Sequence, residues 1–131
     1  MVLLDTDILI GFLRNSKEAV SKISKLIDKH VILFTTSINT AELYFGAHLS
    51  KKTQENLEAV DKLVKTINII PFKLSHSKIY GEIRSDLQKK GEMINELDIF
   101  IATIAMEKDL PIITRNTKHF DKIMKLIVET W

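Results

Sequence analysis

Residues 2–7 read VLLDTD: three apolar side chains in a row, then Asp5-Thr6-Asp7. A short run that is apolar on both faces suits a strand of a parallel sheet, which helices cover on both sides. Its abrupt end at Asp5 marks a strand emerging at the sheet edge. Four more stretches have the same character: 31–36 (VILFTT), 67–72 (INIIPF), 111–114 (PIIT) and 126–128 (LIV). Pro71 is expected at the end of the third, because it has no N–H to give to the ladder.

Amphipathic stretches lie between these runs. Ser16 reads as an N-cap before Val20, Ile23 and Ile27, and Ser37 or Asn39 caps a helix in which Ile38, Glu42, Phe45, Gly46 and Leu49 share a side. A further helix covers 53–65 on Leu57, Val60 and Val64. Ser75 opens another, carrying Ile79, Ile83 and Leu87, and Gly91 supplies its left-handed cap. Asn95 caps a strongly apolar helix to about Lys108, and a short one runs from Asn116 to about Met124. Strands alternating with helices predict a three-layer α/β/α sandwich around a mostly parallel sheet of about five strands, with residues 1–131 forming one domain.

The composition, 45% hydrophobic and 27% charged, is that of a globular chain and excludes a disordered one. Without cysteine, disulfide frameworks and thiolate metal sites are excluded. No signal-peptide pattern opens the chain, and no apolar run approaches the ~20 residues of a membrane helix. The expected address is the cytoplasm, with no membrane partner. A net charge of +2 is compatible with nucleic acid without demanding it.

In open parallel sheets, ligands bind beyond the carboxyl ends of the strands. Asp5 ends the first strand, Glu42 lies in the first turns of the helix after the second, and Asp98 opens the helix before the fourth. Asp98 shares its helical face with Ile101, Ala102 and Ala105, an unusual place for a carboxylate. Two acids about 4 Å apart repel by roughly 4 kcal/mol at an effective dielectric of 20. Protonation or a cation must relieve this. With oxygen donors only, the suitable ion is Mg2+, with Mn2+ as a substitute, and its chemistry there is phosphodiester hydrolysis. Structural roles remain open beside this reading: Asp5 as a helix cap, and Asn39 with Glu42 and Asn95 with Asp98 as capping boxes.

In order along the chain, LLDTDILI (3–10), TSINTAELYFGA (36–47), ELDIFIATIA (96–105), IITRNTKHF (112–120) and the closing IVETW resemble the PIN-domain ribonucleases, and among them the VapC toxins of prokaryotic toxin–antitoxin pairs. The resemblance spans nearly the whole chain. It implies a Mg2+-dependent endoribonuclease in which Asp5, Glu42 and Asp98 hold the metal and activate water, and a homodimer neutralised by a VapB-type antitoxin. It also places Asn116 at the family's fourth site position, where it orients water, with Thr114 as its hydroxyl neighbour.

Two positions depart from the family pattern. The common acid before the phenylalanine is here His119, with Asp121 after Phe120 as a partial substitute, and Asp7 stands where Asn is usual. Asp7 reads as a cap or an outer acid, and His119 as a solvated surface group outside the site. The number of ions is left open. Arg14, Arg84, Arg115 and Lys118 are the basic candidates for RNA phosphates. Two rival readings stand beside the nuclease. One is a haloacid-dehalogenase-like phosphatase with Asp5 as nucleophile in a DxD motif; the other is a non-catalytic RNA-binding PIN domain.

Overall fold

The computed structural model describes residues 1–131. β1 (Val2–Leu4) leads into α1 (Thr6–Leu13) and α2 (Lys17–Asp28). β2 (Leu33–Thr36) is followed by α3 (Ser37–Leu49) and α4 (Thr53–Val64), and β3 (Asn68–Ile70) by α5 (Leu74–Lys90) and α6 (Glu96–Glu107). β4 (Ile112–Ile113), α7 (Thr117–Phe120) and β5 (Val128–Glu129) complete the chain. The five strands form one sheet in the order β3-β2-β1-β4-β5, and every pairing is parallel. This is the expected three-layer α/β/α architecture. No helix is long and apolar enough to cross a membrane.

Side-chain alternation along the short strands builds two cores. Leu3 and Ile112 face a cluster completed by Ile83 and Leu87 of α5, Ile101 and Ala105 of α6, and Phe120. Val2, Leu4 and Ile113 face the opposite cluster, with Ile8 and Leu9 of α1, Ala19 and Ile23 of α2, Leu43 of α3 and Val60 of α4. An all-apolar strand is thus explained by cover on both faces. Thr35 Oγ1 donates to the Leu4 carbonyl at 2.8 Å, which locks β2 to β1 next to the edge where both chains turn into helices. Gly91 ends α5 with φ +66°, the left-handed conformation expected of it.

The strand order reverses at β1. From there the chain moves outward through β2 and β3, then crosses back to β4 on the other side of β1. The chain therefore leaves β1 and β4 in diverging directions, and the crevice at their carboxyl ends is where a ligand fits.

Four local expectations differ from the structure. The eight residues Thr6–Leu13 form a helix that the apolar pattern alone does not announce, because Ile8, Leu9 and Ile10 prolong the strand-like run. On α3 the buried face is Asn39, Leu43 and Ala47, at i, i+4, i+8 spacing, while Phe45 and Leu49 are exposed, and the N-cap is Thr36. Ile27, expected on the packed side of α2, is exposed. The helix after Asn116 ends at Phe120, four residues short of Met124.

Candidate active site

Asp5 is the hub. It caps α1, with Oδ1 accepting from the Thr6 backbone N–H at 2.8 Å and from Asn39 Nδ2 at 3.1 Å, while Oδ2 accepts from Thr114 Oγ1 at 2.7 Å. β1, α3 and the end of β4 therefore meet at one carboxylate. Asp5 is buried, and its carboxyl is pushed up to about 7 from an ordinary 3.8. Burial is the chief cause; the neighbouring charges of Asp7 and Asp98 push the same way, against the hydrogen bonds from Thr114 and Thr6.

Glu42 is not engaged in a capping box. That box is formed one register earlier, by Thr36 and Asn39, whose side chains reciprocally serve each other's backbone N–H groups. Glu42 Oε1 instead accepts from Thr6 Oγ1 at 2.8 Å, and Thr6 in turn accepts from Asn39 Nδ2 at 2.9 Å. Half-buried Glu42 is raised above the usual carboxylate range, first by burial and also by the charge of Asp98. Asp98 thus acts electrostatically on both Asp5 and Glu42, which places the three acids within one field.

The Asn95–Asp98 capping box does not form either. Asn95 caps α6 as expected, but with its Oδ1 accepting from the Leu97 N–H at 2.9 Å. Buried Asp98 turns to the loop after β4, where its Oδ2 accepts from Asn116 Nδ2 at 2.9 Å and lies 2.7 Å from His119 Nδ1. Asp98 Oδ2 and His119 Nδ1 lie within hydrogen-bond distance and share one proton between them. His119 is therefore corrected from a solvated surface group to a partner of the site. Its position three residues after Asn116, on one helical turn, is the signal that could have found it.

Asp7 lies beside the hub. Its Oδ2 accepts from the Arg115 N–H at 2.7 Å and stands 3.2 Å from Thr114 Oγ1, and its Oδ1 accepts from Trp131 Nε1 at 3.1 Å. Asp121 is exposed, and no hydrogen bond or ion pair joins its side chain to the other acids. Thr6, Asn39 and Trp131 were absent from the sequence-derived site set, and all three hold its members in place.

A strand-order switch point, three acids from separate elements and a hydroxyl at the end of β4 together make up the site. The PIN-domain family description matches residues 2–126. The chain belongs to the PIN-domain family.

Within it, the chain is 32% identical to Ribonuclease VapC2 of Rickettsia felis over 129 residues, 98% of this chain and 96% of that relative. It is 30% identical to Ribonuclease VapC2 of Haemophilus influenzae, with the same coverage of each. The crystal structure of VapBC2 from Rickettsia felis bound to a promoter DNA fragment superposes with a TM-score of 0.91 at 31% identity, covering 100% of this chain and 99% of that one.

PIN-domain VapC nucleases are generally metal-dependent. The donor set of this PIN domain fits a hard divalent cation: it is made of carboxylate oxygens, and Asp98 Oδ1 and Glu42 Oε2 accept no hydrogen bond from the chain. No three acidic or histidine side chains close into a ready-made cage. A small cation that keeps several of its waters needs only one or two carboxylates.

The basic candidates divide. Arg14 lines a cleft of about 130 Å³ between α1, α3 and α4, together with Glu42, Leu43 and Val60. Arg84 lies over Tyr80 and pairs with Glu96 at 2.6 Å. Arg115 is stacked on Trp131, 3.5 Å from its ring. Lys118 is exposed on α7.

Proposed function

We propose that this PIN-domain chain is a VapC-type endoribonuclease that hydrolyses RNA phosphodiesters with Mg2+ as its resident ion and Mn2+ as a substitute. One observation carries the reading. Asp5, Glu42 and Asp98 come from three different elements, and the charge of Asp98 disfavours ionisation of both others. Buried acids held in this way gain from a cation, which turns the mutual penalty into attraction.

A divalent ion at such a site supplies Lewis acidity to a water molecule and to the phosphoryl oxygens of a substrate. The chain's own residues do the rest. Asp5, Asp98 and Glu42 hold the ion; Asn39, Thr6 and Thr114 fix the first and last of the three rotamers; Asn116 and His119 fix Asp98. Arg14, beside Glu42 in the α1–α3–α4 cleft, and exposed Lys118 are the basic side chains left to meet backbone phosphates, while Arg84 and Arg115 are already engaged within the chain.

The similarity to VapBC assemblies supports a VapB-type antitoxin as partner and the cytoplasm as the place of action. Exposed Phe45 and Leu49 on α3 provide apolar surface for assembly with a second copy or with that partner. The membership in the PIN family displaces the phosphatase reading. The binding-only reading is separated from the nuclease by experiment. Purified chain is expected to cut RNA with Mg2+ or Mn2+, to stop when the ion is chelated, and to lose cutting in Asp98→Asn with an unchanged far-ultraviolet circular dichroism spectrum. Cleavage by Asp98→Asn at the wild-type rate overturns the site, and binding of RNA without cleavage under any divalent ion favours the non-catalytic reading.

A further inference from the structure

We propose that this centre takes one divalent cation per chain, because the side chains of Asn116 and His119 close off the second oxygen of Asp98. The inference rests on the reading of Asp5, Glu42 and Asp98 as cation ligands and concerns how many ions they serve.

A carboxylate oxygen offers about two acceptor directions. Asp98 Oδ2 uses both: Asn116 Nδ2 donates at 2.9 Å, and His119 Nδ1 stands at 2.7 Å. Asn116 Nδ2 and His119 Nδ1 are themselves 3.1 Å apart, so the two nitrogens converge on that single oxygen from neighbouring positions. A side-chain nitrogen held this close to an oxygen excludes a cation from the same side. Asp98 Oδ1 accepts nothing from the chain. The carboxylate is thereby divided, one oxygen committed to the protein and one to an ion.

A pair of cations about 3.5–4 Å apart needs a carboxylate whose two oxygens reach both ions, or further acids around the second. Asp98 cannot be shared in this way. The remaining acid near the hub, Asp7, is turned to the chain: Oδ1 accepts from Trp131 Nε1, and Oδ2 from the Arg115 N–H with Thr114 Oγ1 at 3.2 Å. Asp5 Oδ1 already accepts two hydrogen bonds. Asn116 and His119 bring no negative charge to offset a second divalent ion. Asn116 in particular presents the positive partial charge of its amide N–H to Asp98 Oδ2 without requiring metal.

The test counts ions. The full-length protein is titrated with Mn2+ alone, free ion being read from its electron paramagnetic resonance signal and the heat by calorimetry. One Mn2+ per chain is expected. His119→Ala is expected to keep one site with affinity reduced 10–100-fold, as loss of a partner that orients a ligand does. The pair Asn116→Asp with His119→Asp, which exchanges both side chains for acids, is expected to bind two Mn2+ per chain. Asn116→Asp alone serves if the double variant does not fold. Two ions of comparable affinity on the wild-type chain overturn the inference and leave the metal-site reading standing. A variant with the acids installed that still binds one ion overturns the role given to Asn116 and His119. No binding at millimolar Mn2+ overturns the metal-site reading itself, and the inference with it.

Discussion

The side-chain amide nitrogen of Asn39 donates both to Asp5 Oδ1, at 3.1 Å, and to Thr6 Oγ1, at 2.9 Å. One residue in the first turn of α3 thus holds the acid at the end of β1 and the hydroxyl that holds Glu42. Its own carbonyl oxygen accepts from Thr36 N and Thr36 Oγ1, and the side chain is fully buried. Asn39→Ala leaves Thr36 and Asp5 short of partners where water does not reach, which costs about 1–3 kcal/mol. A lowered urea midpoint and slower RNA cleavage are expected. Asn39→Asp sets a second charge against Asp5 and is expected to be worse on both measures. An unchanged midpoint in Asn39→Ala would mean that Thr6 and Thr114 suffice to hold Asp5.

Stability of the metal-free protein should fall with rising pH. Asp5 titrates at about 7 in the folded chain against 3.8 as an ordinary carboxyl, with burial the largest cause, and Glu42 is raised for the same first reason. Between those values the folded state binds more protons than the unfolded one. The contribution is therefore complete below about pH 4 and lost as pH passes through 7, by up to about 4 kcal/mol for Asp5. Unfolding midpoints measured from pH 5 to 8 with a chelator present should decline. Asp5→Asn should flatten the decline, and saturating Mg2+ should reverse it by favouring the charged form. A flat profile in the wild-type chain would contradict the burial argument.

The sheet was legible in the sequence because its strands are apolar on both faces, a pattern that only cover by helices explains. Asp5, Glu42 and Asp98 were legible because each sits at or within two turns of an element boundary on the same side of the sheet. The boundary between β1 and α1 was not, since Ile8, Leu9 and Ile10 are as apolar as the strand before them, and only the Asp5 cap separates the two. The face of α3 was not legible because its buried side carries polar Asn39 and small Ala47 beside Leu43, while bulkier Phe45 and Leu49 stand exposed. Trp131 acts through a contact across 124 residues of sequence, which no local pattern encodes, whereas His119, 21 residues from Asp98, could be found only through its helical spacing from Asn116.

Trp131 is the single tryptophan of the chain, so its fluorescence reports the clasp that it forms. Its Nε1 donates to Asp7 Oδ1 at 3.1 Å, its carbonyl accepts from Arg115 Nε at 2.9 Å, and the Arg115 guanidinium lies 3.5 Å from its ring. Asp7→Ala should release the indole and shift its emission to the red. Trp131→Phe keeps the ring but loses the N–H, and is expected to cost about 0.5–1.5 kcal/mol. Emission unaltered in Asp7→Ala would show that stacking on Arg115 alone seats the ring.

Two helical glycines are expected to respond in opposite directions to alanine. At Gly81, in α5, an added Cβ meets nothing within 4 Å. The change there removes backbone freedom from the unfolded chain and should stabilise by about 0.5–1 kcal/mol. At Gly11, in α1, the same Cβ would lie 2.8 Å from Ala19 Cβ and 3.0 Å from Trp131 Cη2. Ala19 has no torsion by which to retreat, so α1 and α2 must separate, and overpacking of this kind costs about 1–3 kcal/mol. The overlap outweighs the gain in helix propensity. Thermal melts should therefore rise for Gly81→Ala and fall for Gly11→Ala, with the Trp131 emission changed in the second alone. If Gly11→Ala melts higher than the wild type, the close approach of α1 to α2 is not a constraint and the clasp has room to move.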